Sequence, residues 1–203
     1  MANMADFSLK AKGSKKSLET LKEMLEYGTQ DRPHFFVYDC YSAEIESDYL
    51  FAFGACKWSA SACFLKGENS YYERFHKEST ELKNLQDIAK ELNLEIELFG
   101  NEIGCDFAEY YLINNNGEIV ADEYIDGISE NAIEAIVEKF ELDEQEVRDF
   151  INGDLDDNKE KCEFFADLYD DDFDDIVFCD NSINNPANYA VFDNGVKYEE
   201  FTL

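Results

Sequence analysis

Over the first 125 residues the spacing of apolar positions alternates between strand and helix periods. Phe7, Leu9 and Ala11 alternate with Ser8, Lys10 and Lys12, the period of a half-buried strand. Leu18, Leu21, Met24 and Leu25 then recur at helical spacing, with Ser14 or Ser17 able to cap the start and Gly28 placed at the end. Phe35 to Tyr38 begins a second strand, and Asp48 to Phe53 a third. The stretch from Tyr49 to Phe64 carries almost no charge, which predicts strand material buried on both faces, broken near Gly54, in the middle of a sheet. Ala60 to Phe64 either continues that strand or pairs back on it.

Tyr71, Tyr72, Phe75 and His76 predict a short aromatic helical turn. Leu82, Leu85, Ile88, Ala89 and Leu92 mark the clearest helix, capped by Ser79 or Thr80 and ended at Asn93. Leu94, Ile96 and Leu98 form the next strand. Phe107 to Ile113 and Glu118 to Ile125 flank Asn114-Asn115-Asn116-Gly117, a hairpin signal. Beyond Asp126, Ser129 can cap a helix burying Ile133, Ile136, Val137 and Phe140. Leu142, Val147, Phe150 and Ile151 support a second helix closed by Gly153, and a third starts near Asn158. Ile176 to Cys179 and Tyr189 to Phe192 predict short strands, and Asp193-Asn194-Gly195 turns into a last strand, Val196 to Phe201.

This order predicts an α+β protein. Consecutive strands with no helix between them pair as hairpins, and the helices cover one face of a mainly antiparallel sheet. A ferredoxin-like βαββαβ core with extra antiparallel strands, residues 1–125, is the simplest arrangement. An acidic helical and hairpin C-terminal extension, residues 126–203, docks as a second domain beyond the boundary at Asp126-Gly127.

Charge changes the picture most. The 203 residues hold 47 acidic and 17 basic side chains, a formal net of -30 and a pI near 4.1. Residues 1–100 carry 17 acids and 12 bases, net -5, which leaves 30 acids and 5 bases, net -25, for residues 101–203. A surface this negative repels nucleic acid and anionic lipid and attracts cations or basic proteins. With no apolar run near the ~20 residues of a membrane span and no basic, apolar leader at Met1-Ala2-Asn3-Met4, a cytoplasmic protein is expected, without membrane or nucleic-acid partners. The six cysteines lack any C-x-x-C spacing and mostly sit among apolar neighbours, as small buried hydrophobes do in a reducing compartment. The alternative is a Cys56–Cys63 bridge.

Several separated segments carry a resemblance. Gly54-Ala55-Cys56-Lys57-Trp58-Ser59, then Cys63, Leu92-Asn93-Leu94-Glu95-Ile96-Glu97 and Phe107-Ala108-Glu109-Tyr110-Tyr111-Leu112-Ile113 stand in one order. In these the chain resembles the YubB-type ferredoxin-like domain family, whose members share a Gly-x-Cys-x-Trp-Ser segment and a later Phe-x-Glu-x-Tyr segment. Tyr110 stands where related sequences often carry His, and Asn101-Glu102-Ile103-Gly104 replaces their Glu-Glu-Pro-Gly. The resemblance covers roughly residues 4–125 and implies a ferredoxin-like fold there. It also implies a connection with plasmids, phages and other mobile elements. It supplies no active site, and the segment beyond Asp126 lies outside it.

No catalytic motif emerges. Asp154-x-Asp156-x-Asn158 begins like a calcium loop, but Lys159 stands where glycine must turn and Phe165 where the bidentate glutamate belongs. His34 and His76 lack recognisable partners, and phosphate-binding and nucleophile-elbow motifs are missing from the sequence. No cofactor, metal or catalytic residue is therefore assigned, and the protein reads as a binder more than an enzyme. Trp58, Tyr71, Tyr72, Tyr110 and Tyr111 suggest a stacking platform, but without basic residues beside them a core role fits better. The candidate interaction surface is acidic: Asp154, Asp156, Asp157, Asp170, Asp171, Asp172, Asp174 and Asp175. The expected function is a mobile-element accessory protein that engages a basic protein partner by presenting DNA-like charge. The alternative is a small hydrolase or ligand-binding module with a pocket between sheet and extension.

Overall fold

The computed structural model describes residues 4–27, 34–36, 38–68, 70–76, 82–102, 107–126, 133–134, 137–138, 141–151 and 203. The described elements are β1 (Met4–Lys12), α1 (Lys15–Tyr27), β2 (Tyr38–Glu46), β3 (Tyr49–Lys57), α2 (Ala60–Phe64) and α3 (Tyr71–Phe75). After these come α4 (Leu85–Leu92), β4 (Glu95–Glu102), β5 (Phe107–Ile113), β6 (Ile119–Asp126) and α5 (Glu144–Ile151). Two compact units divide the chain: residues 1–104, 108–124 and 201–203 form one, and residues 105–107 and 125–200 the other.

The protein is α+β, with six strands in one antiparallel sheet of order β2-β3-β1-β4-β5-β6. Register sorts the side chains into two layers. Ala5, Phe7, Leu9 and Ala11 of β1 lie opposite Cys56, Gly54, Ala52 and Leu50 of β3, while Phe7, Leu9 and Ala11 also pair with Gly100, Leu98 and Ile96 of β4. These side chains share a face because directly opposed residues point the same way. Against that face sit Leu18, Leu21 and Leu25 of α1 and Ala60, Cys63 and Phe64 of α2. Phe64 forms the hub, its ring centroid 4.7 Å from Phe7, 5.0 Å from Phe35 and 5.4 Å from Tyr38. The Tyr38 hydroxyl donates to the Met24 and Leu25 carbonyls, which ties β2 to the end of α1.

The second face departs from the alternation expected of a half-solvated sheet. Ser8, Lys10, Glu97, Phe99, Asn101 and Tyr110 are all buried. Double-sided burial thus falls on β1 and β4, the central pair. On β3, next to the edge, Tyr49, Phe51 and Phe53 keep part of their surface exposed. Tyr110 donates to Glu97 Oε1 at 3.0 Å and packs its ring 4.9 Å from Phe99. The Lys10 ammonium lies 4.9 Å from the Tyr49 ring centroid and 5.6 Å from that of Phe51, and donates to the Leu203 oxygen at 2.6 Å. Burial lowers the Lys10 pKa, with Glu97 pulling the other way.

Other expectations shift by a few residues, each for a local reason. β3 runs unbroken through Gly54, where a Cβ would collide with the Asp39 carbonyl; glycine lets the bulged Cys40–Ser42 stretch of β2 approach. The break comes at Trp58, whose φ of 74° no strand accommodates. Ala60 to Phe64 is accordingly a helix, neither a continuation of β3 nor a returning strand. β2 starts at Tyr38, leaving Phe35 and Phe36 in the preceding loop. Asn84 caps α4, its Oδ1 accepting from the Asp87 amide at 2.8 Å, and Asn93 ends it at a φ of 53°. Ser79, Thr80 and Ser129 lie outside the described residues, as do the third C-terminal helix and the final hairpin. In the second unit, Asp143 caps α5 and Val147 is buried. Among the described residues no helix is long and apolar enough to cross a membrane.

Candidate functional site

The most developed polar arrangement lies where α2 begins over the inner face of the sheet. Trp58 turns the chain out of β3, and Ser59, in extended conformation, caps α2 by accepting from the Ala62 amide at 3.1 Å. The cap hydroxyl is 3.1 Å from that of Ser61. From across the sheet β5 delivers Glu109, 1% exposed, to the same turn. Its Oε1 accepts from the Ser61 amide at 3.0 Å and its Oε2 from the Tyr111 hydroxyl at 3.2 Å. The Ser61 hydroxyl and Ala60 amide also bond to it.

Gly100 makes room for this carboxylate. A Cβ there would lie 2.6 Å from Glu109 Oε1 and 2.8 Å from the Ala60 Cβ. Burial pushes the Glu109 pKa up, and the hydrogen bonds from Ser61, Tyr111 and Ala60 oppose that rise. Burial raises the Tyr111 phenol, as does the charge of Glu109. Four inward donors hold one buried carboxylate, an arrangement that fixes its position and neutralises much of the cost of burying it.

Outside this network opens a cleft of about 230 Å³ lined by Ser59, Ser61, Ser70, Tyr111, Lys66 and Glu68, with apolar walls from Ala62, Leu65 and Ile119. Gln86 fixes its rim, accepting from the Lys66 amide at 2.8 Å and donating to the Lys66 carbonyl at 2.9 Å. Ser70 closes the next turn by bonding both polar backbone atoms of Gly67. The cleft and its wiring lie within the first unit.

No family model, curated protein or solved structure matches this chain. What the geometry adds is that separated segments of the sequence meet. Cys56, Trp58 and Ser59 come from one segment and Glu109 and Tyr111 from another, and they converge around the start of α2, while Gly54 of the first segment lies against the Asp39 and Cys40 backbone of β2.

Cys56 and Cys63 form no bridge; both are buried thiols, and Cys63 donates to the Lys57 carbonyl at 3.1 Å. Burial, followed by contact with Cys63, raises the Cys56 pKa. Thiols in such surroundings are poor nucleophiles.

The aromatic residues do not form one platform. Tyr111 lines the cleft while its neighbour Tyr110 is buried in the opposite layer with Glu97. Tyr71 stacks on Phe36 at 4.1 Å, Tyr72 stacks on His76 at 4.8 Å, and Trp58 is 47% exposed. His76 Nδ1 pairs with the Tyr72 carbonyl, and the His34 carbonyl accepts from the Lys83 amide. Neither imidazole meets a nucleophile or carboxylate among the bonds described.

The acidic candidates Asp154, Asp156, Asp157, Asp170, Asp171, Asp172, Asp174 and Asp175 lie outside the described residues. Among the described residues no group of three or more His, Cys, Asp or Glu side chains could hold a metal ion. Sequence reasoning passed over Glu109 as a site residue. Its signal was a carboxylate at an inward position of an otherwise apolar strand, matched with Ser59-Ala60-Ser61 as a helix start.

Proposed function

We propose that the protein acts by binding, and that its acidic half engages a basic protein partner in the manner of duplex DNA. The observation that carries this reading is the partition of charge. Residues 101–203 hold 30 acids against 5 bases, so at least 25 of those carboxylates find no basic neighbour in their own half. The 12 bases of residues 1–100 already face 17 acids there, so pairing across the halves leaves the molecule 30 charges short. Described ion pairs of the front half, Lys15–Glu19, Lys22–Glu26 and Lys83–Glu91, are local and partly exposed, and spend those bases nearby.

Duplex DNA presents one charge per ~1.7 Å of axis, so a folded, carboxylate-rich surface competes for the same basic grooves. The partner surface in this reading comprises Asp154, Asp156, Asp157, Asp170, Asp171, Asp172, Asp174 and Asp175. The front half serves as a ferredoxin-like scaffold. Support comes from the order β2-β3-β1-β4, with α1 between β1 and β2 and α2 to α4 between β3 and β4. A mobile-element accessory role and a cytoplasmic location belong to the same proposal and rest on the resemblance and the composition.

The test is competition. A basic DNA-binding protein is loaded with fluorescent duplex, and this protein is titrated in at low and high salt. Displacement that weakens as salt rises is expected. A variant with Asp170, Asp171, Asp172, Asp174 and Asp175 changed to Asn should compete less well. No displacement at a hundredfold excess over a panel of basic partners ends the reading.

A second reading, a small-ligand module, is favoured by one observation, the cleft wired to Glu109. That cleft lies inside the first unit, not between sheet and extension.

A further inference from the structure

We infer that the cleft beside α2 is a recognition site for a primary ammonium group carried on a short apolar stem, either a free alkylamine or a lysine side chain of a basic protein. This rests on the reading of the protein as a binder of basic partners and gives that binding a defined pocket.

The direction of the hydrogen bonds carries the inference. Glu109 draws the protons of its neighbours inward: the Tyr111 hydroxyl donates to Oε2 and the Ser61 amide to Oε1. An oxygen that has spent its proton on a buried carboxylate presents only lone pairs elsewhere. The Tyr111 oxygen also takes a hydrogen bond from the Ser61 side chain, so the acceptor it offers the cleft is its remaining lone pair. Ser59 accepts from the Ala62 amide and the Ser61 hydroxyl bonds to Glu109, so with the Ser59–Ser61 bond made, one lone pair on each hydroxyl oxygen is left for this wall. Glu68 adds a carboxylate to the lining. A wall of acceptors backed by a buried negative charge selects a ligand that brings donors, and an ammonium brings three.

The apolar part of the lining fixes the rest of the ligand. Leu65 and Ile119 offer a surface for methylenes, with the aromatic Tyr111 beside them. A cleft of about 230 Å³ has room for a four-carbon stem and its ammonium. Anions face Glu68 in the lining and a molecule of net charge -30. Lys66, the one base in the lining, is exposed and competes for the same acceptors.

The experiment is a titration of the full chain followed by backbone amide NMR and by the fluorescence of Trp58, the only tryptophan and the neighbour of Ser59. The probes are n-butylammonium, tetramethylammonium, a lysine-rich peptide and the same peptide acetylated on every lysine. Saturable shifts confined to residues 59–70 and 109–119 are expected with n-butylammonium and with the free peptide. Tetramethylammonium and the acetylated peptide, which lack the ammonium donors, should bind at least tenfold more weakly. Tyr111→Phe, which keeps the ring and removes the acceptor, should weaken n-butylammonium about fivefold with an otherwise native amide spectrum, and Lys66→Ala should tighten it.

If n-butylammonium gives no saturable shift at those residues, or tetramethylammonium binds as well, the inference fails. If a basic protein binds while the cleft amides stay unmoved, the inference fails and the charge-based partner reading stands. If the amine binds and the lysine peptide does not, the ammonium site stands and its source is a free amine.

Discussion

At the scale of single residues, Glu109 and Asp6 show opposite ways of keeping a carboxylate in a sheet. Glu109 is buried and surrounded by donors, so removing its charge strands the amides of Ala60 and Ser61 and the hydroxyl of Tyr111. Glu109→Ala is expected to cost about 3 kcal/mol and Glu109→Gln, which keeps one acceptor, about 1–2 kcal/mol, both read from urea unfolding midpoints. A Glu109→Gln variant as stable as the parent, beside a costly Glu109→Ala, would mean that the carboxylate only fills space.

Asp6 is partly buried, and burial raises its pKa from 3.8 to about 6. A carboxyl that binds its proton more tightly in the native state stabilises that state below 3.8. The contribution disappears as pH climbs through about 6. Asp6→Asn should therefore be more stable than the parent at pH 7.5, by up to about 1 kcal/mol after allowing for its solvent exposure, and no more stable at pH 3.5. Paired denaturation curves at the two pH values decide it.

At the scale of elements, the passage from β3 to α2 sets the architecture of the site, and it is where sequence reading and structure part. The strands and helices from β1 to β6 were legible because each keeps one period: Phe7, Leu9 and Ala11 by twos, Ile88, Ala89 and Leu92 by threes and fours, and Asn114 to Gly117 as a turn. Ala60 to Phe64 was illegible as a helix because five uncharged residues carry no measurable period. Its cue was chemical, a serine followed by small residues. Trp58 at a φ of 74° hid the boundary, since nothing in a tryptophan announces a left-handed backbone.

The site was legible only in pieces. Gly54, Cys56, Ser59, Glu109 and Tyr111 could be picked out as segments, but Glu109 reaches α2 because β4, carrying Gly100, separates β5 from β1, and that order is a property of the whole sheet. Trp58→Gly should relieve the backbone strain and raise stability by about 0.5–1 kcal/mol, the cost of a left-handed L-residue less the packing of a half-exposed ring. Ser59→Ala should lower stability by about 1 kcal/mol through loss of the cap. Thermal unfolding of the two variants should move in opposite directions; movement in the same direction would mean that the turn is held by the indole and not endured by it.

At the scale of the whole molecule, a net charge of -30 on 203 residues acts on stability as well as on recognition. Like charges gathered in a compact state repel more strongly than in an extended chain, so folding works against a field that salt can weaken. The Debye length falls from about 30 Å at 0.01 M to about 10 Å at 0.1 M, shorter than the width of a domain. Raising monovalent salt over that range should therefore raise the melting temperature by several degrees, on the order of 2 kcal/mol for a chain of this size. Calcium distinguishes screening from binding. The acidic half carries no complete calcium loop, so at matched ionic strength calcium chloride should do no more than potassium chloride. A rise of several further degrees at millimolar calcium would show that carboxylates of the acidic half converge on the ion. The charge would then serve a bound cation, and the surface left for a basic partner would be smaller by those same groups.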